Sequence, residues 1–139
     1  MTTSKKPTLT ASQASMGKTK LTFIIIAPEG LAKEGKKLFL SHAKWMKSTH
    51  YHVGTKALLS YDVSEMKELK DSTNLKSKPT GKTVFVLSEL YESKAGPADH
   101  LLRTPDWKDW PKFDQWLKKC QVTKVCASKV FNSLTWGGK

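Results

Sequence analysis

Hydrophobic and polar positions divide this 139-residue chain into segments of different period. Residues 1–18 are polar and small with no apolar repeat, which predicts a disordered basic tail, because they bury too little surface to offset ordering. Residues 20–27, KLTFIIIA, are β-branched and aromatic and stop at Pro28-Glu29-Gly30, as a buried strand does. Over 31–49 the apolar positions Leu31, Leu38, Phe39, Trp45 and Met46, with His42 among them, recur at helical spacings. Residues 56–63 alternate as a second strand, Ala57, Leu59, Tyr61 and Val63 against Leu58, Ser60 and Asp62. Residues 64–82 are polar and end in Pro79-Thr80-Gly81, which predicts a flexible connection with a short helical turn at 66–69. Residues 83–91, TVFVLSELY, form a third strand that is largely apolar on both faces. Ser93 is positioned to cap a short helix starting at Pro97. Trp107, Trp110, Phe113, Trp116 and Leu117 form one face of a second helix ending near Lys119. A last strand lies within 122–136, and residues 137–139 form a frayed end.

The predicted order is β-α-β-β-α-β, an α+β, ferredoxin-like arrangement occupying 19–136 as one domain. Two helices would cover one face of a four-stranded antiparallel sheet. The other face would carry exposed apolar side chains, and pairing two sheets face to face would cover it. A homodimer is therefore expected.

Charge changes this picture little. The net charge is +12. Lys5, Lys6, Lys18 and Lys20 fall in or beside the acid-free tail, while later lysines alternate with acids as on a solvated face. Arg103 is the sole arginine. This argues against dedicated nucleic-acid binding. The longest apolar run, Phe23 to Ala27, is far too short for the ~20 residues of a membrane span. The N-terminus has no secretory apolar core, and although its Ser/Thr/Lys composition would suit a transit peptide, it lacks arginine and an amphipathic face. Cys120 and Cys126 match no zinc spacing and read as reduced, structural thiols in a cytoplasmic protein.

Residues 85–93, FVLSELYES, are followed by Ala98-Asp99-His100-Leu101 and Thr104-Pro105-Asp106-Trp107. This resembles the antibiotic-biosynthesis-monooxygenase-like domains of the dimeric α/β barrel superfamily. Tyr91 and His100 have the family's spacing, Leu58 to Asp62 resembles its second strand, and the likeness extends over residues 20–136. It implies a pocket between sheet and helices of each protomer for a small aromatic or enolisable ligand. It also implies a cofactor-independent oxygenation or isomerisation with no metal. Haem-degrading members carry an Asn on the first strand and a Trp where Tyr91 stands; residues 21–27 contain no Asn, which argues against that activity.

Within this frame His100 is the candidate proton acceptor, its ordinary pKa near ~6.5 suiting acid–base work. Glu89 shares a strand face with Phe85, Leu87 and Tyr91, where a carboxylate is costly unless paired, and is the second catalytic candidate. Tyr91, His42, Tyr61, Trp45 and Trp107 are the candidate substrate-binding residues, although helix-face aromatics and strand tyrosines are commonly core. His50-Tyr51-His52 has no third ligand in view and reads as a helix-end loop. The alternative function is a non-catalytic ligand- or partner-binding protein of the same fold with a basic surface.

Overall fold

The computed structural model describes residues 11–136. Its elements are β1 (Ala11–Ser12), β2 (Thr19–Ala27), α1 (Ala32–Thr49), β3 (Leu58–Leu69), β4 (Pro79–Tyr91), α2 (Ala95–Arg103), a 3₁₀ turn (Thr104–Asp106), α3 (Trp110–Leu117), β5 (Gln121–Lys129) and β6 (Thr135–Trp136). The four long strands form one antiparallel sheet in the order β3-β4-β2-β5. That order and the alternation of helices with strand pairs fit a ferredoxin-like α+β fold.

Alternation along β2 sets the layers. Leu21, Phe23, Ile25 and Ala27 point into the core, while Lys20, Thr22, Ile24 and Ile26 face away. On β4 the inward set is Phe85, Leu87, Glu89 and Tyr91. The helices close over this face with Leu38 and Phe39 of α1, Phe113, Trp116 and Leu117 of α3, and Trp107 between α2 and α3. Two glycines let the layers approach. A Cβ on Gly35 would meet the ring of Trp116, and one on Gly96 the ring of Tyr91.

Several expectations are corrected. The segment 64–82 is no flexible connection and has no helical turn. β3 runs on to Leu69 and β4 starts at Pro79, so the strands form a long hairpin closed by Lys70 N–H to Lys78 O. Its register shifts between Lys67 and Leu69, near Gly81, whose φ of +97° suits glycine. α2 starts at Ala95, two residues before Pro97, and Ser93 Oγ accepts the Ala95 N–H. Trp107 lies in the 3₁₀ turn's cap rather than in a helix. The last strand splits into β5 and the short β6.

Residues 1–10 of the expected tail lie outside the described residues, as do 137–139. The stretch 11–18 is structured. Ala11 pairs with Trp136 and Ser12 with Thr135, Gly17 N–H donates to Val130 O, and Lys18 Nζ meets Glu92 Oε2 at 2.8 Å.

Among the described residues no helix is long and apolar enough to cross a membrane. The outer sheet face bears an apolar patch of Ile24, Ile26, Val84, Val86, Met66 and Val125, of which Ile24, Met66 and Val125 are exposed.

Candidate functional site

Where α1, α2 and the upper half of β4 meet, three histidines, a glutamate and Tyr91 are buried together, with Tyr61 half-buried beside them. His42 sits on the inward stripe of α1, one turn after Leu38. His50 follows two turns later as the C-cap of the same helix. His100 projects from the middle of α2, and Glu89 and Tyr91 are alternate inward residues of β4. Tyr61 stands beside Glu89 on β3.

Hydrogen bonds fix the histidine tautomers from one end. Thr49 Oγ1 gives its single proton to Trp45 O at 2.7 Å, so it accepts from His50 Nδ1–H at 3.0 Å. A neutral His50 then presents a bare Nε2, which accepts from His100 Nδ1–H at 2.8 Å. His100 is left with a bare Nε2, and that atom lies 3.8 Å from Glu89 Oε1. Tyr91 donates its hydroxyl proton to the same Oε1 at 2.6 Å. Glu89 Oε2 is buried with no hydrogen-bond partner among the described residues. His42 engages Tyr61 through Nδ1, 2.9 Å from the hydroxyl oxygen.

Burial governs the electrostatics. Desolvation, with His50 adding a smaller repulsion, depresses His42 to about 3. Desolvation and then the neighbouring histidines and Arg103 hold His100 at about 3. Desolvation, then Arg103, holds His50 at about 4. All three imidazoles are neutral at pH 7, consistent with the tautomer chain. Glu89 moves the other way: burial raises it to about 7 against the opposing bond from Tyr91. The phenols of Tyr61 and Tyr91 are both pushed up, first by burial and then by Glu89.

A cavity of about 230 Å³ opens beside the cluster. His42 and His100 stand in its wall among Leu21, Phe23, Trp107 and Phe113. Lys124 of β5 also borders it, its Nζ 5.5 Å from the centre of the Phe23 ring. Trp107 offers only its ring, because its indole N–H donates to Ser41 Oγ at 3.1 Å and Ser41 in turn donates to Asp109.

The sequence-predicted residues thus divide. His42, His100 and Trp107 line the cavity. Glu89, Tyr91 and Tyr61 are not in its wall; they sit behind the histidines as their partners. Trp45 borders a shallow groove on the other side of Trp107, stacked on that ring at 6.3 Å. His50 was read as a helix-end loop residue, yet it is buried and holds His100. Extending the α1 stripe by one further turn, 42–46–50, would have found it. Cys120 makes no thiolate, since burial and Glu34 push its thiol up to about 11.

No protein-family model, curated protein or solved structure matches the chain. The family resemblance therefore rests on residues 58–62, 85–93, 98–101 and 104–107 alone.

Proposed function

We propose that the chain binds a one- or two-ring phenolic or enolisable molecule in this cavity and removes a proton from it, as cofactor-independent monooxygenases and isomerases of the resembled family do. The observation that carries the reading is a cavity walled by aromatic and aliphatic side chains, with two neutral imidazoles among its few polar groups and a carboxyl group directly behind one of them. Its 230 Å³ falls below the about 300–1,000 Å³ of drug-sized ligand sites, which sets the ligand's size. Lys124 at the border and the +12 net charge favour a ligand that is, or becomes, an anion.

In this reading the ligand's acidic O–H or C–H gives its proton to Nε2 of His100, a weak base in the empty site because burial holds it at about 3 rather than near its ordinary value. The transfer therefore depends on Glu89, 3.8 Å away, whose ionised form offsets the imidazolium charge that results. The anion left behind is reprotonated at another carbon, which is isomerisation, or passes one electron to O₂ and joins the superoxide so formed in a C–O bond. The peroxide takes back the proton from His100 and loses water to leave a carbonyl, which is oxygenation. Tyr91 orients Glu89, His50 fixes the His100 ring, and Tyr61 fixes His42. The two free cysteines suit a reducing compartment such as the cytoplasm.

A homodimer belongs to the same proposal. Its support is the apolar patch of the outer sheet face, which a second sheet would cover.

The test uses metal-free protein, a panel of small phenols and β-dicarbonyls, and NMR in D₂O. The expected result is saturable shifts of cavity resonances and ligand proton exchange that His100→Gln slows by about 100-fold. Exchange unchanged in His100→Gln would remove the catalytic role, and binding without exchange would leave the ligand-binding alternative.

A further inference from the structure

The cluster behind the cavity has a property that proton transfer does not require. Candidate ligand atoms of His42, Glu89 and His100, one from each residue, all lie within 4.8 Å of one another, and all three residues are buried. The tautomer chain already leaves His100 Nε2 bare and turned towards Glu89. With Nδ1 of His42 engaged by Tyr61, its Nε2 remains for a ligand. Glu89 Oε2 is buried with no hydrogen-bond partner among the described residues. Two imidazole nitrogens and a carboxyl group with an orphan oxygen, converging in an apolar interior, form a poor hydrogen-bond network. They are a good cation site.

We propose that His42, Glu89 and His100 bind one divalent first-row transition cation, such as Fe²⁺, Co²⁺ or Zn²⁺, leaving coordination positions open towards the cavity. Two imidazoles and one carboxylate select such ions over Mg²⁺ or Ca²⁺, which take oxygen ligands. The outer partners are already those a metal centre uses. A ligating histidine characteristically gives its other N–H to a fixed acceptor, as His100 does to His50. The carboxylate is held by a hydrogen bond, here from Tyr91. A cation would also balance the charge of Glu89 and engage its orphan oxygen.

Bonds of ~2.1 Å place ligand atoms about 3.0–3.4 Å apart, so the His100–Glu89 pair at 3.8 Å must close by roughly half an ångström and the widest pair by up to about 1.5 Å on binding. A phenolic or enolic oxygen in the cavity would reach the open side of the ion. That last step rests on the ligand-binding part of the reading above, and with the ion on Nε2 His100 no longer takes the ligand's proton; the metal site itself does not rest on that reading.

The experiment titrates chelator-treated, full-length protein with Co²⁺, followed by visible absorption, and with Zn²⁺ by calorimetry. One ion per chain is expected, with d–d bands of a nitrogen–oxygen site. Glu89→Gln and His100→Gln should each weaken binding by at least about 100-fold, beyond the 10–100-fold of losing an outer partner. His52→Ala, on an exposed histidine nearby, should leave it unchanged. Glu89→Gln keeps the side-chain shape and removes a buried acid, so it should fold, and its circular dichroism and melting verify that. Absence of saturable binding to folded wild-type protein overturns the proposal. So does binding that survives both substitutions. Neither outcome bears on ligand binding by the metal-free chain, which NMR measures separately.

Discussion

Glu89 illustrates how much one side chain decides. It occupies a core position with no exposure, opposite Leu21 and next to Tyr61 across the strands. Its carboxyl titrates at about 7 in the fold against 4.5 in an unfolded chain, so the folded state holds its proton more tightly. Its stabilising contribution is complete below pH 4.5 and disappears as pH rises through 7, on the order of 3 kcal/mol in total. The three histidines act in the opposite sense. Their lowered values mean that unfolding takes up protons, so their contribution is complete above 6.5 and is lost as pH falls towards 4 and 3. Chelator-treated protein should therefore gain denaturant resistance up to about pH 7 and level off above it, because the loss at Glu89 offsets the last of the gain from the histidines. Glu89→Gln should steepen the gain, and its advantage over wild type should grow between pH 4.5 and 7. A pH-independent difference between the two would contradict the assigned burial of the charge. The oddity of Glu89 was legible in the alternation of its strand. What the sequence did not reveal was Tyr91 as its partner. On one strand face, residues two apart touch only when side-chain directions allow it.

At the level of elements, legibility followed burial. β2, α1 and the upper part of β4 were readable because each lays a stripe against the core. The outer arms of β3 and β4 were read as a flexible connection because their side chains are mostly exposed on both faces, which erases the period-two signal. Backbone pairing alone marks them as strands, with Glu65 opposite Phe85 and Lys67 opposite Thr83. Amide hydrogen exchange should find ladder amides protected over 64–67 and in the opposing arm, and exchange as fast as in a coil there would refute the hairpin. The tryptophan stripe misled in another way. Trp107 is the extended cap of the 3₁₀ turn, and a further turn closed by Trp110 N–H to Trp107 O leads into α3, so a spacing of three across that turn imitates a helical repeat and hides the boundary. The cavity lies under that boundary. Its lining residues Thr104, Pro105 and Lys124 carry no sequence signal because they are recruited from two separate places on the fold, the 3₁₀ turn and β5.

For the whole molecule, the sheet is the organising object: one face is covered by helices and carries the site, while the other is bare. The proposed homodimer should appear in light scattering as twice the chain mass, with Ile24→Lys shifting the population to monomer without loss of secondary structure. Ile24 faces Val86 and Thr123 across the ladders, so a charge there falls in the middle of the patch and is poorly tolerated in a sheet-to-sheet contact. A monomeric wild type would end the pairing idea and leave the cavity reading intact, since the cavity is built within one chain. The resemblance to dimeric barrels rests on residues 58–62, 85–93, 98–101 and 104–107 alone. Nothing in periodicity distinguishes a bare sheet face that pairs from one that stays wet.

The pairing of β1 with β6 has a topological consequence. Ala11 lies opposite Trp136, so the two ends of the described fold are neighbours in a ladder. A short Gly–Ser bridge could join them, and the chain could be reopened at the tip of the β3–β4 hairpin, around 74–75, far from the histidines in sequence and exposed. Such a circular permutant would reverse which half of the sheet is synthesised first and keep every contact of the buried cluster. The order in which this sequence is read is thus separable from the shape it takes.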